Sequence, residues 1–411
     1  MTAGVTTVRN QTRQPGGPAL VPPPGAVPGL PDRAGAGPAP ERASAGPPRR
    51  RRRPRLAGLA WLAVVLAGAV AAGLTLLPLS SPAGPARAVV ASLPFWDISN
   101  GTATVLAHRQ DFTEVSPFIY GLAADGRIVA QYDPVQQATV EAAIARLRRA
   151  GLPVVPTLAN ITAGKWSYAP VARMLHDPAL RRQQVAGIVA LVLAHRYAGI
   201  DIDYENLRAA DRHAFSTFIT GLAAALHAHG RTLSVAVFAK ASNAGYGGAN
   251  VAQDYAAIGR AADEVRVMAY NYHWATSPPG PVAPVGWVRA VLRYAKAQIP
   301  ASKIILGIPL YGYDWSGGRG AALSWLRAFQ LATRYHARPR YDTAAQEPWF
   351  GYTAGGRRHV VWFENQASSR AKFEAAAGSG AGGVFLWMFG YEDGRTWGAL
   401  HAALPVPARA P

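Results

Sequence analysis

Gly199-Ile200-Asp201-Ile202-Asp203-Tyr204-Glu205 alternates apolar and acidic side chains along one short stretch. With a strand's period of two, Asp201, Asp203 and Glu205 share one face, and Ile200, Ile202 and Tyr204 share the other. A solvated edge strand could carry the same acids. The second face is strongly apolar, however, and helix-spaced segments flank the stretch on both sides, so the acids are expected to point into a barrel mouth. Acids two residues apart on a strand are separated by about 6.6 Å. Simultaneous ionisation is then unfavourable, and at least one carboxyl keeps its proton near neutral pH. Barrel active sites lie at the C-terminal ends of the strands, which makes Glu205 the candidate acid and Asp203 its partner.

From Val89 onward, short β-rich apolar runs alternate with longer Ala-, Leu- and Arg-rich segments of helical spacing, the pattern of βα units around a parallel sheet. Residues 89–96, 114–122, 152–160, 199–205, 232–238, 264–271, 303–310 and 383–387 read as strands. Residues 140–150, 178–195, 207–229, 251–262, 287–298 and 366–377 read as amphipathic helices, whereas 97–111 has no clear helical pattern. Residues 311–361 are too long for a βα loop and carry Tyr, Trp and a Gly-rich turn. The expected fold is therefore α/β: a (β/α)8 TIM barrel over 89–405 with a small inserted α+β subdomain, about 312–361, between strands 7 and 8. No Gly-x-Gly-x-x-Gly follows the first strand, so a doubly wound dinucleotide-binding sheet has no support. No cofactor is expected.

The chain has no Cys, which excludes disulfides, thiolate zinc sites and cysteine nucleophiles. His227 and His229 are two apart on a helix and do not share a face, so they are a weak metal pair and no metal site is expected. Ten Arg against Asp32 and Glu41 give residues 1–55 a net +8 of the chain's +19. Pro, Gly, Ala and Arg dominate that head, which cannot bury enough surface to offset ordering entropy and is expected to be disordered. Residues 56–79 carry no charged side chain. At about 1.5 Å per residue they reach roughly 36 Å, enough to cross a hydrocarbon core of about 30 Å. Arg49 to Arg53 precede this segment, and the positive-inside rule places the head in the cytoplasm and the barrel outside, after a linker at 80–88. The expectation is a single-pass protein of the cell membrane. A cleaved signal peptide, leaving a secreted protein, is the rival, although its apolar region is usually shorter. Beside such a helix the Arg run reads as a topology signal, and no nucleic-acid partner is expected.

Ala198 to Glu205 resembles the Asp-Gly-x-Asp-x-Asp-x-Glu signature on the fourth strand of family 18 glycoside hydrolases, the chitinase-like barrels, with Ala198 in place of the first Asp. Three more segments match that family in order. Met268-Ala269-Tyr270-Asn271 is similar to its sixth-strand Met-x-Tyr-Asp motif, with Asn271 replacing Asp. Gly307-Ile308-Pro309-Leu310-Tyr311-Gly312 resembles the seventh strand, and Gly383-Val384-Phe385-Leu386-Trp387 the eighth.

The resemblance implies a glycosidase acting on β-1,4-linked N-acetylglucosamine polymers, chitin-like or peptidoglycan, by substrate-assisted retaining catalysis. It implies that Glu205 is the proton donor, that Asp203 and Asp201 orient the acetamido group, that Tyr270 hydrogen-bonds it, and that Trp387 floors the cleaved sugar. Asn271 is expected at the substrate. Trp96, Tyr313, Trp274 and Trp315 follow strand ends and could extend an aromatic platform, although such rings also fill cores. The other functional class consistent with Ala198 and Asn271 is a monomeric cell-surface barrel that binds glycans without cleaving them. A monomer is expected in either case.

Overall fold

Ile200, Ile202 and Tyr204 are fully buried, and the Tyr204 ring stacks on Phe218 at 5.9 Å, so the apolar face of the acidic strand packs outward against a helix. The acids are thereby turned to the interior of a closed sheet. The computed structural model describes residues 87–242 and 246–406. Its barrel strands are β1 (Ala88–Pro94), β2 (Glu114–Leu122), β3 (Thr157–Ala159), β4 (Gly199–Asp203), β5 (Thr232–Phe238), β6 (Glu264–Met268), β7 (Ile304–Pro309) and β8 (Gly383–Trp387). Each pairs in parallel with the next, and β1 pairs with both β2 and β8, which closes the cylinder.

Each strand is followed by a helix of the same number: α1 (Ile98–Ala107), α2 (Pro134–Arg149), α3 (Pro178–Ala194), α4 (Arg212–His227), α5 (Tyr255–Ala261), α6 (Val285–Lys296), α7 (Gln366–Ser379) and α8 (Thr396–Ala403). Asp133, Asp177, Asp254 and Asn365 cap α2, α3, α5 and α7 through side-chain acceptors for first-turn N–H groups. Short extra elements decorate the mouth: Ile128–Ala130 pairs antiparallel with β2, and helix Tyr168–His176 precedes α3.

Several sequence expectations shift. Residues 97–111 do form a helix, α1, whose Gly, Ser and Thr content hides its period. Its buried face of Ile98, Gly101, Thr102 and Val105 is set by packing, since a Cβ at Gly101 would stand 2.8 Å from Leu93. The run 152–160 yields only the three residues of β3, with an isolated bridge at Val154, because Pro153 and Pro156 have no N–H to give the ladder. The basic head, the apolar segment 56–79 and nearly all of the linker lie outside the described residues. Among the described residues no helix is long and apolar enough to cross a membrane.

Between β7 and α7, strands Tyr311–Ser316, Arg319–Ser324, Arg340–Asp342, Glu347–Ala354 and Arg357–Trp362 form a five-stranded antiparallel sheet. Helix Trp325–Arg334 covers one face with a core that includes Leu331, Phe350, Tyr352 and Val361. This inserted unit is fastened by Lys372 of α7, which lies 2.9 Å from Glu364 and 3.3 Å from Glu347, all three fully or almost fully buried. Glu347 also accepts the N–H groups of Val282 and Ala283 at 2.7 Å, tying in the chain that leads to α6. Burial, resisted by Lys372 and reinforced by Glu347, pushes Glu364 up to about 8. One ammonium thus serves two carboxyls, of which one stays protonated at neutral pH.

Removing that ammonium leaves a buried carboxylate without its counter-charge. Lys372→Met is expected to cost about 3–5 kcal/mol, read as a large fall in the denaturation midpoint; a change of less than about 1 kcal/mol, within the range of exposed ion pairs, would contradict the role of this triad.

Candidate active site

The interior of the barrel below the acids is polar rather than oily. Arg266, on β6, is 1% exposed and reaches across the cylinder. Its Nη1 donates to the Ser116 hydroxyl at 2.7 Å and lies 3.5 Å from Asp201 Oδ2, while Nη2 pairs with Glu114 and, at 3.3 Å, with Glu264. Thr157 Oγ1 donates to Asp201 Oδ2 at 2.9 Å, and Ser234 Oγ donates to Asp201 Oδ1 at 2.8 Å. Because the Thr157 hydrogen is committed to Asp201, the 3.0 Å contact between Ser116 and Thr157 must have Ser116 as donor. A directed chain therefore runs from the guanidinium through two hydroxyls to Asp201. Four different strands supply it.

Asp203 stands one strand repeat above. Its carboxyl is buried, and Oδ1 has no hydrogen-bond partner among the described residues. Burial first, then the negative charge of Asp201, raises it well above the usual carboxylate range, with Arg266 opposing. Asp203 thus holds its proton to higher pH than an ordinary carboxyl.

Glu205 lies beyond the end of β4, which stops at Asp203 rather than running to 205. The reason is Asn160. Its fully buried amide donates to the Glu205 carbonyl and accepts from the Glu205 N–H, both at 2.8 Å, so a side chain replaces the strand neighbour. Two bonds in opposite directions fix the backbone that carries the acid. At the other end of the strand, position 198 contributes backbone bonds to Val154 and Thr232. The Asp that the resemblance would place there is absent, and Arg266, Thr157 and Ser234 brace Asp201 from neighbouring strands.

Tyr270 follows β6 and leans over β7, where a Cβ at Gly307 would stand 2.8 Å from its ring. Burial, then the charges of Asp203 and Glu205, pushes its hydroxyl far up, so it remains an O–H donor. Asn271 takes a left-handed conformation (φ 56°), which Asn tolerates better than most side chains. Its Oδ1 accepts from Tyr311 at 2.7 Å and Tyr313 at 3.0 Å. A neutral amide is well matched to two hydroxyl donors. Tyr313, expected on a sugar platform, instead has no exposed surface and packs between Tyr311 and Trp315. Its OH holds Asn271, so it supports the site from behind.

Trp387 ends β8, is joined to Met388 by a cis peptide bond and lies edge-on to Trp96 at 6.3 Å, with Phe118 at 5.5 Å. The indole N–H groups of both tryptophans are buried without a partner among the described residues. The structure thus brings Tyr270 close to Asp201, Asp203 and Glu205, with Asn271 beside it, while Trp387 and Trp96 meet each other at the ends of β8 and β1. His227, weighed as a metal ligand, faces Asp263 at 2.9 Å.

Arg266 and Asn160 were not singled out from sequence. Arg266 had a signal: in Glu264-Val265-Arg266-Val267-Met268 the period of two puts it on the Met268 and Tyr270 face, where a cation must be paired. Asn160 had none, since its partner is far away in the chain.

The Arg266 charge opposes the rise of Asp203, so its loss should raise Asp203 further. In a carbon-13 NMR titration of the aspartate carboxyls, Arg266→Met is expected to move the Asp203 midpoint to higher pH, and Arg266→Lys, which keeps the charge, to move it less. An unmoved midpoint in folded Arg266→Met protein would refute the coupling.

The model for glycosyl hydrolases family 18 matches residues 100–392. Cortical fragment-lytic enzymes of Bacillus anthracis and Bacillus subtilis are 32% identical over 295 residues and 36% identical over 231 residues. These alignments take in 70% and 54% of this chain and 68% and 54% of theirs, so the chain spans about half to two thirds of these relatives. Among solved structures, the chitinase of Chromobacterium violaceum superposes with a TM-score of 0.72 at 34% identity over 78% of this chain and 99% of that one. The spore cortex-lytic enzyme SleL of Bacillus cereus does so at 0.70 and 29%, over 78% and 74%. The carboxylate ladder therefore sits in a glycoside hydrolase, and the chain belongs to glycosyl hydrolase family 18.

Proposed function

We propose that the enzyme hydrolyses β-1,4-linked, N-acetylglucosamine-containing glycans with retention of configuration, the substrate's own acetamido group acting as nucleophile. The observation that supports this most directly is the state of Asp203. An ordinary retaining glycosidase uses a second, ionised carboxylate to attack the sugar. Here the acid next to Glu205 is buried and raised, with an oxygen lacking a partner, which suits it to hydrogen bonding and not to attack. The nucleophile then has to come with the substrate.

In this reading Glu205 protonates the glycosidic oxygen as the acetamido oxygen closes on the anomeric carbon to give an oxazolinium. Asp203, braced through Asp201, receives the acetamido N–H, and the Tyr270 hydroxyl donates to the acetamido oxygen as charge builds there. Trp387 gives the distorted sugar a flat apolar floor. Glu205, now ionised, takes a proton from the incoming water, and water opens the ring on the face the leaving group left. Residues 56–79 would hold the barrel at the outer face of the cell membrane, which places the catalytic unit beside wall glycan. Protease added to intact cells should then degrade the barrel while sparing the head, and a protected barrel would contradict this placement.

Glu205→Gln is expected to lower reducing-end release from N-acetylglucosamine oligomers at least about a hundredfold with an unchanged denaturation midpoint. N-deacetylated oligomers should resist the wild-type enzyme to a similar degree. Near-normal turnover by Glu205→Gln, or equal cleavage of acetylated and deacetylated chains, would refute the mechanism, and binding without any turnover in the wild type would establish the non-catalytic glycan-binding barrel.

A further inference from the structure

One row of directly paired residues crosses the inserted sheet. Tyr313 pairs with Trp362, Trp362 with Trp349, and Trp349 with Arg340. The row begins at the active site, because the Tyr313 hydroxyl donates to Asn271. Three strand spacings take it about 14 Å outward. Trp362 and Trp349 stack at 5.7 Å with 16° between planes, and the Arg340 guanidinium lies 5.5 Å from the Trp349 ring centre. Both indoles are half-buried, and the helix Trp325–Arg334 packs on the opposite face of the sheet. The row therefore presents flat aromatic surface and ends in a cation.

At that end lies a cavity of about 460 Å³ lined by Arg338, Arg340, Arg358, Trp349 and Gly351 among others, with no acidic side chain in its wall. The three arginines are exposed, and none forms an ion pair among the described residues. Gly351 leaves the space between them open. Arg358 also borders a second cavity of about 710 Å³ that reaches Trp315 and the 276–279 loop, on the side of the barrel mouth. A neutral N-acetylglucosamine chain offers three guanidinium groups only uncharged hydroxyl and amide oxygens, whereas a carboxylate takes paired, charge-assisted N–H bonds from them.

Resting on the glycan-hydrolase reading above, we infer that this arginine groove is a distal subsite for a glycan strand whose amino sugars carry carboxylates, with the Trp349–Trp362 pair as the apolar rail beneath the sugars. The subsite selects acidic wall-type strands over neutral chitin-like ones by binding far from the bond that breaks.

The test uses the full chain carrying Glu205→Gln, so that binding is read without turnover. Its probes are a peptide-free strand with a lactyl carboxylate on alternate N-acetylhexosamines, the same strand after carboxyl reduction, and an N-acetylglucosamine oligomer of equal length. The carboxylated strand is expected to bind at least tenfold more tightly than the other two, with the advantage fading at high salt. Arg338→Gln combined with Arg340→Gln and Arg358→Gln should remove the preference while changing the affinity for the neutral oligomer less than twofold. Gly351→Leu should do the same by filling the groove, because a Cβ there meets only the His359 carbonyl at an ordinary 3.5 Å. Equal affinity for the three probes, or a preference untouched in both variants, overturns the inference. A poly(glycerol phosphate) that competes as well as the carboxylated strand overturns the assignment to carboxylates. Failure of wild-type enzyme to cleave any probe would count against the catalytic reading alone.

Discussion

A guanidinium sealed inside the barrel lets Asp201 and Asp203 share one strand face with Glu205 just beyond its end. Asp201 and Asp203 share the inward face of β4 at a spacing of about 6.6 Å, and Glu205 follows just beyond the strand's end, in surroundings where charge is poorly screened. Arg266 meets the lowest of them and also two further carboxylates, Glu114 and Glu264, at the barrel's lower end. A cation and two hydroxyls brace Asp201 at the bottom, and burial raises the next acid up above the usual carboxylate range. The acids thereby differ along the barrel axis: Asp201 braced below, Asp203 held above the usual carboxylate range in the middle, and Glu205 beyond the strand's end. Leaving Arg266 unpaired would be as costly as leaving the acids unpaired, so each side of the arrangement maintains the other.

The top of the ladder depends on a different device. Glu205 has left the hydrogen-bonded ladder of the sheet, yet the Asn160 amide holds its backbone as a strand neighbour would. Tyr311 and Tyr313 do the same for Asn271 from the inserted unit, and Gly307 lets Tyr270 lie close to β7. Catalytic-face side chains thus sit on loops but are positioned by buried partners on other elements, which allows a reactive site on irregular backbone without loss of precision. The inserted sheet supports the site at its inner edge and extends away from it through the Trp362, Trp349 and Arg340 row. Its fastening by Lys372 therefore bears on both regions.

Local pattern carried much of this into the sequence. The alternation at 199–203 oriented Asp201 and Asp203, because the apolar second face weighed against a solvated edge strand. Six of the eight helices, α2 to α7, announced themselves by apolar period, α8 was not read, and α1 was concealed by Gly101, Thr102 and Thr104, which form a helix here because Leu93 and Phe389 pack against its narrow face. Proline arithmetic explains why the third strand is short. What could not be read is everything that needs register or closure: Ser116, Thr157 and Ser234 are unremarkable residues on three strands until the cylinder brings the hydroxyls of Thr157 and Ser234 to Asp201 and that of Ser116 to Thr157. Tyr313 was legible as an aromatic near the site but not as a buried supporter, since burial depends on what the inserted sheet places around it.

In the proposed mechanism the bond-breaking step uses the sugar's own acetamido oxygen, with the protein supplying one exchanging acid and a set of hydrogen bonds. Proton NMR of the first-formed product from an N-acetylglucosamine oligomer, recorded before mutarotation, tests it most directly. The account predicts that the new reducing end appears as the β anomer, since attack from within the substrate followed by water inverts the centre twice. Initial appearance of the α anomer would mean a single displacement by water and would contradict it.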